Sequence, residues 1–206
     1  VAHSDFAGFE PEIRAILDDR FRARESGFSD SRRVIRASAN AIRSLHRNES
    51  EAAARLTDEA GVLLRQVVEV LSHHPDVLHA GFVADAAKEY VEARLTGALF
   101  EDRPLPSPTE LGVDPVPYLH GLGEAVGELR RRLLDLLRAG EIDEAERRLV
   151  SMDRIVDLLA EIDYPDGMTN GLRRITDVAR SLVERSRADL TATVVQERLR
   201  KQLAGG

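Results

Sequence analysis

The sequence predicts an all-α protein, and three observations carry that prediction. Apolar residues recur at spacings of three and four along nearly all 206 residues, and no segment sustains an alternation of period two. Aromatics make up only 4% of the chain, so a core must come mainly from Leu, Val, Ile and Ala, which favours helices. Prolines fall at the edges of the periodic segments rather than inside them, and divide the chain into six or seven helices with no obvious domain boundary.

Ile13, Ile16, Leu17, Phe21 and Phe28 fit the apolar face of a first helix, weakened near Gly27, and Val34, Ile35, Ile42 and Leu45 continue it to about Arg47. A second helix carries Leu56, Ala60, Leu63, Leu64, Val67 and Leu71 and stops before Pro75. A third, capped by Asp76, runs from about Val77 to Phe100. The connector DRPLPSPTELGVDPVP leaves room for one short turn of helix near Thr109 to Gly112. Beyond Pro117 the seam Leu119, Leu122, Val126, Leu129, Leu133 and Leu136 marks a packed helix, with Gly140 just past its end. The next helix uses Ala145, Leu149, Met152, Ile155 or Val156, and Leu159, and ends before the Tyr-Pro-Asp-Gly turn at 164–167. A last helix runs from about Asn170 towards Leu203 with Leu172, Ile175, Ala179, Leu182 and Leu190 inward. The whole chain, 1–206, reads as one domain.

Composition narrows the function. With no cysteine there is no disulfide framework, thiolate metal site or cysteine nucleophile. No apolar run approaches the ~18 residues needed to span a bilayer and no signal peptide is visible, so the expectation is a soluble, cytoplasmic protein without membrane contact. The net charge of −7 argues against indiscriminate duplex binding, although a local basic stripe could still hold nucleic acid. Only Lys88 and Lys201 are lysines; the other 27 of 29 basic residues are arginine, which fits either a GC-rich genome or retained phosphate contacts.

Two pairs of carboxylates point to a cation. Glu89 and Glu92 are three residues apart and Glu124 and Glu128 four, so each pair projects from one side of a helix, where like charges repel by roughly 0.2–0.5 kcal/mol when exposed. On a helical wheel Glu89 falls in the middle of an apolar face made by Phe82, Ala86, Ala93 and Phe100, with Asp85 and Glu92 flanking it. A metal ion, an arginine partner or a water-filled cavity would each resolve that conflict. Glu124 and Glu128 lie roughly opposite the leucine seam, on a solvent-facing side, among Gly121, Gly123 and Gly127, which permit close approach of another backbone or a substrate. Both pairs also have ordinary readings: Glu89 and Glu92 paired with Lys88, Arg94 or a distant arginine, and Glu124 and Glu128 a solvated face beside Arg131 and Arg132.

Arg32, Arg36, Arg43 and Arg47 fall within about 60° of one another on the first helix, with Asn40 alongside, a stripe able to track a phosphate backbone. A solvated arginine face reads equally well, and no aromatics are interleaved for base stacking. His3, His46, His73, His74, His79 and His120 show no metal-ligand spacing and read as structural or surface residues. P-loop, GxGxxG, GxSxG and helix-turn-helix signatures are absent.

The segments SRRVIRASANAIRSLHR, AKEYVEARL, ELGVDPVPYLHGLGEAVGELRR and LRRITDVARSLVERSRADL, in that order over about residues 28–190, resemble the translin/TRAX family. YLxGLxxxxGELRR is the strongest single piece. The resemblance implies a seven-helix bundle that assembles into a hollow homo-octamer and binds single-stranded RNA or DNA. TRAX-type members are Mg²⁺-dependent endoribonucleases, and their acidic site matches Glu89, Glu92, Glu124 and Glu128. TRAX commonly has Asp where this chain has Glu124, whose carboxylate sits about one methylene further out. Translin-type subunits lack the acidic set, so the chain resembles the catalytic branch. The implied activity is hydrolysis of single-stranded RNA at a site where these four carboxylates hold Mg²⁺, or Mn²⁺ in its place, while Arg32, Arg36, Arg43 and Arg47 position the backbone. The alternatives are a non-catalytic octamer that binds single strands, and a helical scaffold with no nucleic-acid role.

Overall fold

The computed structural model describes residues 8–204; His3 lies outside them. Every regular element among the described residues is a helix. Six are long: α1 (Glu10–His46), α2 (Ser50–Leu71), α4 (Gly81–Phe100), α6 (Pro115–Ala139), α7 (Ile142–Glu161) and α9 (Leu172–Ala204). Three are single turns: α3 (Pro75–Leu78), α5 (Pro108–Leu111) and α8 (Asp166–Thr169). None is long and apolar enough to cross a membrane.

The packing follows from where the apolar faces point. α1 and α2 form an antiparallel hairpin, and α4 lies across both; α6, α7 and α9 form a second group, joined to the first where α6 packs along α4. The predicted α6 seam is the middle of the core: Leu122, Val126, Leu129, Leu133 and Leu136 are all buried. In α7, Ala145, Leu149, Met152, Leu159 and both Ile155 and Val156 turn inward, because α6 and α9 flank the helix on two sides. α4 is enclosed almost all round, with Val83, Ala86, Tyr90, Val91, Ala93, Leu95 and Ala98 buried.

Local chemistry sets the ends. Ser107 and Glu110 close a reciprocal capping box on α5, the predicted turn, and Gly112 ends it at φ 66°. Gly140 ends α6 at φ 80°, as expected of a glycine after a helix. The predicted third helix is broken: Ala80 is extended at φ −70°, ψ 147°, so the single turn α3 precedes α4. Asp76 does not cap it; its carboxylate faces Arg20 at 3.6 Å.

The largest departure lies in α1. It is one unbroken helix through Gly27, yet Ile13, Ile16, Leu17 and Phe21 are 48–61% exposed rather than buried. At 1.5 Å per residue a 37-residue helix is about 55 Å long, whereas the 22 residues of α2 reach about 33 Å. Gly27 already lies against Leu71, the last residue of α2, so the first turns of α1 extend past the bundle.

Candidate metal centre

The seam between α4 and α6 carries the acidic residues. The two helices approach closely because Gly121 has no side chain: a Cβ there would lie 2.7 Å from the Lys88 carbonyl oxygen and 2.8 Å from Val91 Cγ1. Gly123 makes room for Ile175 of α9 in the same way, whereas nothing crowds Gly127. This approach turns Glu124 towards α4. Glu124 and Glu128 are therefore half-buried rather than solvent-facing, because α4 covers the side of α6 opposite the leucines.

Glu89, Glu92 and Glu124 each offer a carboxylate oxygen, and the three oxygens lie within 4.8 Å of one another. Glu92 is the buried member, 9% exposed, and Glu89 is half-buried, the reverse of the wheel's ranking. Asp85 is exposed and takes no part. Burial, and then the negative charges of Glu124, Glu89 and Glu128, push the Glu92 carboxyl up from 4.5 to about 8, with Lys88 opposing them. Lys88 Nζ donates to Glu124 Oε1 at 2.8 Å and lies 3.3 Å from Glu89 Oε1. Burial works against the Lys88 ammonium, but the hydrogen bond and charge of Glu124, with Glu89, outweigh it and raise its pKa above the usual lysine value.

Glu128 is not part of this group. Its Oε2 is hydrogen-bonded to His46 Nε2, from the last turn of α1. The His46 side chain is 4% exposed and its ring stands edge-on to Phe100, with centroids 5.3 Å apart. Arg94, a candidate partner for Glu89 and Glu92, instead pairs with Asp58 at 2.9 Å. Arg132 bonds Asn48 at 3.1 Å and lies over the Phe100 ring.

The predicted arginine stripe is exposed on α1, with its C-terminal end beside His46. Arg43 donates to Asn40, and Arg47 is held by Glu49 at 2.9 Å. Arg32 and Arg36 make no side-chain hydrogen bond or ion pair among the described residues, so their donors face water.

Three carboxylate oxygens from two rigid helices, with no imidazole or thiolate among them, suit a hard divalent cation such as Mg²⁺ or Mn²⁺. A cation would also offset the burial and the neighbouring negative charges that together hold a proton on Glu92. Sequence reasoning found all three and offered Lys88 as a partner of Glu89 and Glu92, but it missed that Lys88 reaches across to Glu124 and that His46 meets Glu128. Lys88 carried a signal, being one of two lysines in an arginine-rich chain and adjacent to Glu89. His46 carried none, since its partner is 82 residues away.

No family model matches the chain. It is 26% identical over 188 residues to an uncharacterized protein of Methanocaldococcus jannaschii, covering 91% of this chain and 83% of that one. Among solved structures, AfC3PO is 32% identical and superposes with a TM-score of 0.84, covering 90% of this chain and 97% of AfC3PO. The chain belongs to the translin/TRAX family. AfC3PO has also been solved in complex with duplex RNA, again with a TM-score of 0.84 and with 96% of its chain covered. A third solved structure, apo-NeC3PO, shares the fold at 22% identity, with a TM-score of 0.81 over 89% of this chain and 96% of its own.

Proposed function

We propose that this translin-family chain is an RNA-binding, divalent-metal-dependent endoribonuclease that works in the cytoplasm as a homo-octamer. The observation that carries the reading is the convergence of Glu89, Glu92 and Glu124 within 4.8 Å at a seam between two helices. The likeness to AfC3PO, solved with duplex RNA, supports RNA as the ligand.

Glu89, Glu92 and Glu124 would hold Mg²⁺ or Mn²⁺, with Glu128 beside them. A cation bound there supplies positive charge to a phosphate oxygen and acidifies water in its shell. The protein's own part is binding and orientation. Arg32 and Arg36 present unpaired guanidinium groups to phosphates, and Arg43 and Arg47 extend the stripe towards the acidic seam. With a cation held by the carboxylates, Lys88 would no longer be needed at Glu124 and could bond a phosphate oxygen instead. The apolar row Ile13, Ile16, Leu17 and Phe21 on the projecting part of α1 supports self-assembly.

Cleavage of end-labelled RNA, single-stranded and duplex side by side, in Mg²⁺ or in EDTA, tests the reading with wild type and Glu92→Ala. Metal-dependent cutting abolished by the substitution, with assembly unchanged by light scattering, is the expected result. The two RNA forms also test the preference for single strands. A second reading, a binder that does not cut, is favoured by Lys88, which already supplies a cation to two of the three carboxylates. Retention of RNA without cutting in Mg²⁺ or Mn²⁺ would establish that reading instead.

A further inference from the structure

Glu128 stands apart from the other three carboxylates, and His46 is the residue that holds it there. His46 Nε2 meets Glu128 Oε2, while Nδ1 is buried with no hydrogen-bond partner among the described residues. A carboxylate oxygen only accepts, so Nε2 carries the hydrogen. Moving that hydrogen to Nδ1 would create two faults, a buried N–H without an acceptor and a lone pair facing the carboxylate. The ring cannot turn away cheaply: Phe100 stands against it, and Arg132 covers Phe100 at 5.8 Å. Glu128 Oε1 has no partner among the described residues, so it remains an open acceptor close enough for its charge to act on Glu92.

We propose that His46 is a positioning residue that keeps Glu128 out of the metal-holding set and leaves its Oε1 free to take the proton of the attacking water. The inference rests on the nuclease reading above and divides its four carboxylates three and one. In the step concerned, the water oxygen forms a bond to phosphorus and its proton passes to Glu128 Oε1. The P–O bond to the departing ribose oxygen breaks, and that oxygen takes a proton from solvent. Glu128 is the catalytic residue here; His46 acts only through it, by holding one oxygen so that the other is presented.

The test measures Mn²⁺ binding by electron paramagnetic resonance alongside RNA cleavage, in wild type, Glu92→Gln, Glu128→Gln, His46→Leu and His46→Gln. Glu92→Gln should weaken Mn²⁺ by about tenfold or more. Glu128→Gln should bind Mn²⁺ within about threefold of wild type yet lose about 10²–10⁴ in cleavage, the range for a lost general base. His46→Leu should lose cleavage by about tenfold or more, and His46→Gln, whose amide N–H replaces Nε2–H, should recover most of it. Nitrogen-15 spectra of the histidine-labelled full chain should show His46 with Nε2 protonated and Nδ1 bare. Should His46→Leu fail to fold, His46→Gln and the spectrum decide the matter. Loss of Mn²⁺ in Glu128→Gln as large as in Glu92→Gln, or a His46 ring protonated at Nδ1, overturns the division and leaves the nuclease reading standing. A wild type that binds no Mn²⁺ overturns both.

Discussion

Lys88 Nζ, on α4, donates to Glu124 Oε1, on α6, across 2.8 Å. The same ammonium reaches Glu89, so without a metal ion this lysine is the cation that lets three carboxylates share the seam. Lys88→Met should therefore lower the stability of the metal-free protein by about 1–3 kcal/mol, because it strips a charged hydrogen bond from a half-buried carboxylate group. Divalent cation should restore more stability to this variant than to wild type, since the cation no longer competes with an ammonium. Thermal unfolding in EDTA and in MgCl₂ reads both effects. Equal melting temperatures for variant and wild type in EDTA would mean that Lys88 does not hold the cluster together.

The proton on Glu92 makes stability depend on pH in the direction opposite to most carboxylates. Its carboxyl is raised to about 8 in the fold against 4.5 unfolded. Between those values the folded state keeps a proton that the unfolded state releases, so stability falls as pH rises from about 4.5 and levels off above about 8. The whole fall amounts to a few kcal/mol, since each tenfold change in proton affinity is worth about 1.4 kcal/mol. Urea unfolding in EDTA at pH 5, 7 and 9 should show it in wild type and not in Glu92→Gln, which stays neutral throughout. Divalent cation should bind more tightly as pH climbs towards 8, releasing the proton on binding.

How much of this could be read from the chain depends on whether a feature is local. The α6 seam, the Ser107–Glu110 turn and the Gly140 stop are spacings and caps, and each stands where the sequence puts it. The spacing of Glu89 and Glu92 placed two carboxylates on one side of α4, but which one is buried depends on α6 closing over the helix. The exposure of Ile13, Ile16, Leu17 and Phe21 was illegible for a related reason: an amphipathic face shows that a helix has something to cover, and only the length of α2 shows that this bundle does not cover it. His46 and Glu128 meet through the packing of α1 near α6, which no one-dimensional pattern encodes.

Two glycines on α6 with opposite surroundings test how tightly the α4–α6 seam is built. Gly121→Ala would place a methyl 2.7 Å from a backbone carbonyl that cannot rotate away. The helices must part, at a cost of about 1–3 kcal/mol, and the carboxylate oxygens spread with them. Gly127→Ala meets nothing closer than Leu182 Cδ1 at 4.0 Å. It should be neutral or stabilising by up to about 1 kcal/mol, through helix propensity alone. Melting temperatures distinguish the two, and Mn²⁺ affinity should fall for Gly121→Ala only. A Gly121→Ala protein as stable as wild type would show that the seam has slack.

The arginine stripe predicts unequal contributions to RNA binding. Arg32 and Arg36 offer free donors, so Arg32→Ala and Arg36→Ala should each reduce the slope of log affinity against log salt by about 0.7–0.9, one phosphate's worth of released counterions. Arg47 is already held by Glu49, which must be given up before a phosphate can be bound, so Arg47→Ala should change the slope less. Glu49→Ala then becomes the informative variant: it frees Arg47 and should tighten RNA while steepening the salt dependence. Fluorescence anisotropy of a labelled RNA between about 50 and 300 mM salt, over which the Debye length shortens about twofold, measures all four. Slopes unchanged in Arg32→Ala and Arg36→Ala would move the RNA path off α1, whatever the acidic seam does.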